Sequence, residues 1–472
     1  MSAIRPLLIL NAEIAAGHCC DVLLAGGTIA ALGEGLKHDF AAVIDAAGAC
    51  LLPGLHDHHM HVAASAVAMA SVPCGPPQVS DEAGLAAALA RGGTGWLRGV
   101  GYHESVAGML HRHQLDRLAP HRPVRVQHRS GRMWFFNSAG LDLLLGSGMP
   151  LPQGLERDGG GYTGRLFDED RWLRDALRGT PPSFAPVGEA LLRSGVTGLT
   201  EMSPANGLAE AAHFRAEQVS GNLPQRVVLA GSLDLGGLDG TTHLARGPFK
   251  LHLHEAQFPD WDETLARMAE ARRQGRGTAV HCVSDAELVF ALGLFAELGR
   301  FALDRIEHGS VVPDSLIDEL VRLELPVVVQ PAFVAARGDT YLSDIPASQW
   351  PALYRLASLR NAGLTLAGGS DAPYGPLDPW TAMRAAVERR TASGAPFGMA
   401  DMLEREALTP EAALELYLAD PCELGRTRRI APGAVADLCL LDRPWAEVRT
   451  RLDAARVRAT IVGGVVRYRA DA

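Results

Sequence analysis

The chain has 472 residues, room for up to about three domains or one large barrel with attachments. Hydrophobic residues make up 47% and charged residues 21%, so there is ample apolar side chain to bury and disorder as the main state is excluded. The 54 acidic residues outnumber the 44 basic ones for a net charge of −10, which argues against nucleic acid or an anionic membrane surface as partner.

The first fifty residues predict short strands. Leu7 to Leu10, Asp21 to Leu24 and Thr28 to Leu32 are apolar runs of strand length, and Gly26-Gly27 punctuates the last two as a hairpin turn would. Asn11 and Glu13 interrupt the first run too early for a signal-peptide core, and no apolar run is long enough to span a membrane. Next comes Leu51-Leu52-Pro53-Gly54-Leu55-His56-Asp57-His58-His59-Met60-His61, an apolar run, a Pro-Gly turn and four histidines. Residues 72–185 read as less regular, an insertion covering one end of the molecule's main domain. Beyond them, strand runs alternate with helical spacing. Gly277 to His281 precedes a predicted helix over 285–298, Leu325 to Gln330 follows one over 314–323, and Leu364 to Gly368 precedes one over 380–390. Such alternation indicates parallel βα units, in a closed barrel or a doubly wound sheet. No glycine-rich phosphate loop is present. The far end returns to strands over 436–441 and 459–462, with Gly463-Gly464 turning into Val465 to Tyr468. Neither end has strands enough to stand alone, so the two are expected to pair into one small β domain. Seven cysteines without a Cys-x-x-Cys pair read as reduced thiols of a cytoplasmic protein.

His59 and His61 are two apart, so on a strand both imidazoles face one side and suit a divalent transition metal. His281, His308 and Asp371 each stand where an apolar strand stops. Strand C-termini of a parallel barrel share one face, where active sites are built. Together these residues offer a ligand set and an acid to handle protons.

These segments resemble the amidohydrolase superfamily, and within it the YtcJ-like branch that includes N-substituted formamide deformylases. Pro53 to His61 is similar to that branch's Pro-Gly-Phe-x-Asp-x-His-x-His. Leu115 to Val124 and Asn137-Ser138 match its inserted region, and His281 to Ala286 is similar to its His-Ala-x-Gly-Asp-x-Ala. Arg305-Ile306-Glu307-His308 and Gly369-Ser370-Asp371-Ala372-Pro373 repeat its last two signatures. The resemblance implies an α/β fold: a TIM-like (β/α)8 barrel over 53–421, a β-sandwich from 1–52 and 422–472, and an insertion over the barrel mouth at about 72–185. It implies hydrolysis of a non-peptide C–N bond in a small-molecule amide, formamide or cyclic amide. The cofactor would be one or two divalent metal ions, zinc above all. His59, His61, His281, His308 and Asp371 would hold the metal, with a carboxylated Lys250 bridging two ions. Asp371 would carry the proton from water to the leaving nitrogen. Oligomers are common in similar proteins, so a homo-oligomer is expected. The same site could serve a lactone, ester or phosphoester hydrolase or a deaminase, or persist in a catalytically silent binding protein.

The chain departs from the pattern around the expected substrate. Lys250 is followed by Leu251-His252-Leu253-His254-Glu255, whose two histidines would line the pocket or perturb the metal set. Arg132 stands where the branch has histidine; there it would bind a substrate carboxylate or be an ordinary surface residue. Glu201 stands where the branch often has aspartate. Trp134, Tyr102 and His103 complete the candidates for substrate contact.

Overall fold

The computed structural model describes residues 5–470 except 16, 40, 77, 91–94, 160 and 178–180. Eight parallel strands form its central sheet, in chain order: β1 Leu55–Met60, β2 Val196–Glu201, β3 Arg226–Gly231, β4 Leu244–His252, β5 Thr278–Cys282, β6 Arg305–His308, β7 Val327–Val329 and β8 Leu366–Gly368. Val, Ile, Leu and Ala make most of these strands buried on both faces, as a parallel sheet covered by helices requires. Helices Leu208–Val219, Trp261–Arg273, Asp285–Leu298 and Asp314–Arg322 fill the crossovers from β2 to β3, β4 to β5, β5 to β6 and β6 to β7. The register sets His281 of β5 beside His252 of β4, and Cys282 beside His308 of β6.

The sheet comes nearly to closure as a barrel. Asp371 N–H donates to His59 O at 2.7 Å and His61 N–H to Ala372 O at 2.9 Å, which ties the segment after β8 to the end of β1. Gly369 makes this approach possible, since a Cβ there would lie 2.6 Å from His59 Cβ. Of the two architectures open to the strand–helix alternation, the barrel is the one formed.

The chain ends supply two four-stranded sheets. One has the order Thr28–Gly33, His18–Ala25, Leu7–Ala15, Ala42–Asp45; the other has Val465–Arg469, Val457–Val462, Leu438–Leu441, Leu51–Pro53. Ile9, Val22, Leu24, Leu438, Leu440 and Ile461 belong to one buried apolar cluster fed by both sheets. The outermost residues, 1–4 and 471–472, lie outside the described residues.

Residues 63–183 form a separate compact unit. Its six-stranded sheet runs Leu155–Asp158, Gly161–Phe167, Met133–Phe136, Val124–His128, Leu97–Tyr102, Val72–Pro73. This is more regular than the sequence suggests. The strands are short and carry charge, and the charge is masked by rings: the Arg125 guanidinium lies 5.7 Å from the Trp134 ring centre and 5.8 Å from that of Trp96.

Candidate active site

Every residue of β1 is buried, so its polar side chains need partners inside the protein. His56 Nε2 lies 3.0 Å from Thr200 Oγ1. Asp57 Oδ1 accepts from the backbone N–H of His59 at 3.1 Å and of Ser370 at 3.0 Å, a second tie between β1 and the segment after β8. Burial raises the Asp57 carboxyl to about 6 against the pull of those donors.

Three imidazoles are each oriented through Nδ1. His59 Nδ1 donates to Glu307 Oε2 at 2.5 Å, while Glu307 Oε1 accepts from Arg305 Nε at 2.5 Å. His308 Nδ1 donates to Gln330 Oε1 at 2.8 Å; the amide's orientation follows from Gln330 Nε2, which donates to Val328 O. His61 Nδ1 lies 3.0 Å from Ser203 Oγ. A hydrogen on Nδ1 leaves Nε2 as a lone pair, so Glu307 and Gln330 set the metal-binding tautomers of His59 and His308.

These nitrogens meet a carboxylate. Asp371 Oδ1 lies 3.2 Å from His61 Nε2 and 3.5 Å from His59 Nε2, and the ligand atoms of the three residues all fall within 4.8 Å of one another. The His308 ring centre is 4.6 Å from that of His59 and 4.4 Å from that of His281. Both His308 and Asp371 have left-handed backbones, φ +72° and +52°. Such positions cost on the order of 1–3 kcal/mol each and gather at functional sites.

The donor set fits a divalent cation. Lys250 is 4% exposed, and neither its Nζ nor His308 Nε2 has a hydrogen-bond partner among the described residues. Burial without a partner is costly, and a ligand that these atoms could hold would repay it. Burial lowers Lys250 to about 8, lowers His281 to about 3, and holds His59 and His308 well below the usual imidazole range. Neutral imidazoles beside a carboxylate are what such an ion requires.

Of the remaining candidates, Glu201, His252 and His254 belong to the barrel, and Tyr102, His103, Arg132 and Trp134 to the separate unit. Glu201, expected in the pocket, is enclosed instead. Its Oε2 accepts from Val62 N–H at 2.5 Å, and its Oε1 accepts from Ser203 N–H at 2.9 Å and Asn206 Nδ2 at 3.2 Å. It fixes the backbone on either side of the His61–Ser203 contact. His252 and His254 are exposed and stack outward from His281, with ring centres 4.2 Å apart for His252–His281 and 4.5 Å for His252–His254. Burial lowers His252 to about 4, which keeps it neutral. The capping carboxylate of Glu287 accepts from Val283 and Glu255 N–H, which steadies the loops that carry His281 and His254.

In the separate unit, Tyr102 is buried and its hydroxyl donates to Gly108 O at 2.6 Å. Trp134 belongs to a buried apolar cluster. Arg132 is 76% exposed and its guanidinium is held by both oxygens of Asp168 at 2.7 Å, which leaves the fork occupied. His103 shares Glu104 with His128. Sequence reasoning missed the orienting residues Glu307, Gln330, Ser203 and Asp57. Gln330 had a readable signal: like the candidate ligands, it is a polar residue at the end of an apolar strand.

Residues 42–468 match the model of the amidohydrolase family. The chain belongs to this family. It is 26% identical to an N-substituted formamide deformylase of Arthrobacter pascens, covering 99% of each chain. It is 28% identical to the Bacillus subtilis (strain 168) protein YtcJ, which is named as an amidohydrolase, over 89% of each. Both relatives support the YtcJ-like branch. Among solved structures, an uncharacterized metal-dependent hydrolase of Pyrococcus horikoshii OT3 superposes with a TM-score of 0.77 at 20% identity, covering 93% of this chain and 97% of its own. N-isopropylammelide isopropylaminohydrolase of Burkholderia multivorans ATCC 17616 gives 0.55 at 17% identity, with 99% of each chain covered. These likenesses are of fold. The amidohydrolase is thus a hydrolase with a barrel-end site suited to a divalent metal, and no helix among its described residues is long and apolar enough to cross a membrane.

Proposed function

We propose that this amidohydrolase cleaves a non-peptide C–N bond of a small amide, N-substituted formamide or cyclic amide, with zinc as its metal. His59, His61, His281 and His308 would hold the ion, and Asp371 would join them. The observation that carries this reading is the meeting of His59 Nε2, His61 Nε2 and Asp371 Oδ1 in a buried site that also contains the orphaned Lys250 Nζ and His308 Nε2. The name of the Arthrobacter relative supports the choice of bond.

A divalent ion bound there would polarise the scissile carbonyl and bring the pKa of water down towards neutrality. The chain's own part is proton management. Asp371 accepts the proton of the attacking water and delivers it to the leaving nitrogen, because an amine departs readily only when protonated. Glu307 and Gln330 keep two imidazoles in the required tautomer. Lys250, deprotonated more readily than an ordinary lysine, is suited to add CO2: its nitrogen bonds the carbon, a proton is released, and the carbamate oxygens become anionic donors for a second ion. His252 and His254 form the imidazole edge of the substrate pocket. The domain division that accompanies this reading is a β-sandwich from 1–52 and 422–472 beside a barrel over 53–421. The seven unpaired thiols suit a reducing cytoplasm.

The test is a product screen of metal-quantified protein on N-substituted formamides, lactams, lactones and aminopurines. Amine release from a formamide or ring opening of a lactam is expected. Turnover confined to lactones, or protein that binds no zinc, manganese or cobalt when grown with them, overturns the proposal.

A further inference from the structure

At the end of the barrel opposite Asp371, a cleft of about 530 Å³ opens between the N-terminal ends of β1 and β2 and the terminal sheets. That volume is ample for a small ligand. Its walls are apolar at Ile29, Pro53, Val435 and Leu438. Its polar side is set by Arg226, Arg426, Arg428 and Arg429 against Asp420 and Asp437, so its sign is reversed in a chain of net charge −10.

The two aspartates are already committed. Asp437 takes Arg226 Nε at 2.5 Å and Gly463 N–H at 2.7 Å. Asp420 takes Arg426 Nη2 at 2.5 Å and Cys422 N–H at 2.9 Å, and Arg426 also meets Glu423. Arg428 donates through Nε to Ala419 O at 3.3 Å and through Nη2 to Tyr417 O at 3.0 Å, bonds that aim its guanidinium without neutralising it. Its Nη1 has no partner among the described residues, and its neighbour Arg429, exposed, has no ion-pair partner among them either. Burial lowers Arg428 to about 10 against the pull of Asp437 and Asp420, which it shares with Arg226 and Arg426, so it is still a cation at neutral pH. Two arginines consecutive in the chain, both lining the cleft and one pre-aimed by carbonyls, beside an apolar wall are the elements of an oxyanion site.

We propose that this cleft binds a small carboxylate or phosphate carried on an apolar body, at a site separate from the metal centre. The inference does not depend on the reaction assigned above. Isothermal titration with hexanoate and with inorganic phosphate, at constant ionic strength set by chloride, tests it in the full chain. Saturable binding of at least one probe at millimolar concentration is expected, with the stronger probe naming the oxyanion. Arg429→Glu, an exposed change, should weaken it roughly tenfold or more, as should Arg428→Lys, which keeps the charge but loses the fork. Binding should persist in His61→Ala, whose metal centre is impaired. No saturable binding, equal affinity in both arginine variants, or loss in His61→Ala would each overturn the site.

Discussion

Glu307 and His59 stand 248 residues apart in the chain and 2.5 Å apart in the barrel, carboxylate oxygen to ring nitrogen. The same carboxylate holds Arg305, whose Nη2 donates to His58 O at 3.2 Å. One side chain thereby orients a candidate metal ligand and neutralises an arginine buried in the barrel interior.

Glu307→Gln should therefore weaken metal binding by roughly 10–100-fold, the usual effect of losing such an orienting partner. With its one oxygen kept by Arg305, the amide turns its NH2 toward His59 Nδ1 and favours the tautomer with the hydrogen on Nε2. Competition with a chelator measures the affinity, and an affinity equal to that of the unaltered protein would show that Glu307 serves only Arg305.

For Asp371 the expected loss is in turnover. Asp371→Asn keeps the shape and one oxygen but cannot shuttle a proton, so kcat should fall by about 10²–10⁴. Metal content is measured beside it, because Oδ1 also stands within 3.2–3.5 Å of two imidazoles. Near-full kcat with metal bound would remove Asp371 from the proton path.

Much of this cluster was legible because its candidate ligands are spelled next to strand ends. His59 and His61 follow an apolar run and a Pro-Gly turn, and His281, His308 and Asp371 each close a strand. The orienting residues were not legible, because their role comes from strands meeting across the barrel. Glu307 reads as one letter of a local motif until β6 is seen against β1. Glu201 shows the opposite failure. A carboxylate at a strand end looks like a substrate contact, yet three N–H donors enclose it. The unit over 63–183 was hidden by arginines inside short strands; there Trp96 and Trp134 cover Arg125, Ser71 and Gln127 hold Arg98, and Glu156 holds Arg165.

The buried imidazoles make the metal-free protein acid-sensitive. Desolvation lowers His281 to about 3 and drives His59 and His308 down as well. Below the ordinary imidazole pKa of about 6.5 the unfolded chain binds protons that the folded chain refuses, so stability falls as pH falls through that value. The loss continues towards about 3, where His281 itself protonates. Denaturant unfolding of chelated protein between pH 7 and pH 4 should show this decline. His281→Asn and His308→Asn should flatten it, and an unchanged slope in both would mean that other groups titrate.

Lys250 acts at the alkaline end. Its amine is buried, has no hydrogen-bond partner among the described residues and is lowered to about 8 from an ordinary 10.5, with desolvation the largest cause. Between those values the unfolded chain holds a proton that the folded chain has released, so metal-free protein should gain stability as pH rises from about 8 towards 10.5. Lys250→Met keeps the length and removes the charge. It should raise the stability of the metal-free form near neutral pH by roughly 1–3 kcal/mol and abolish the alkaline gain. The same substitution should impair metal retention and turnover, because it deletes a donor. A Lys250→Met protein less stable than its parent without metal, with the alkaline gain intact, would show that this amine is satisfied in the folded state.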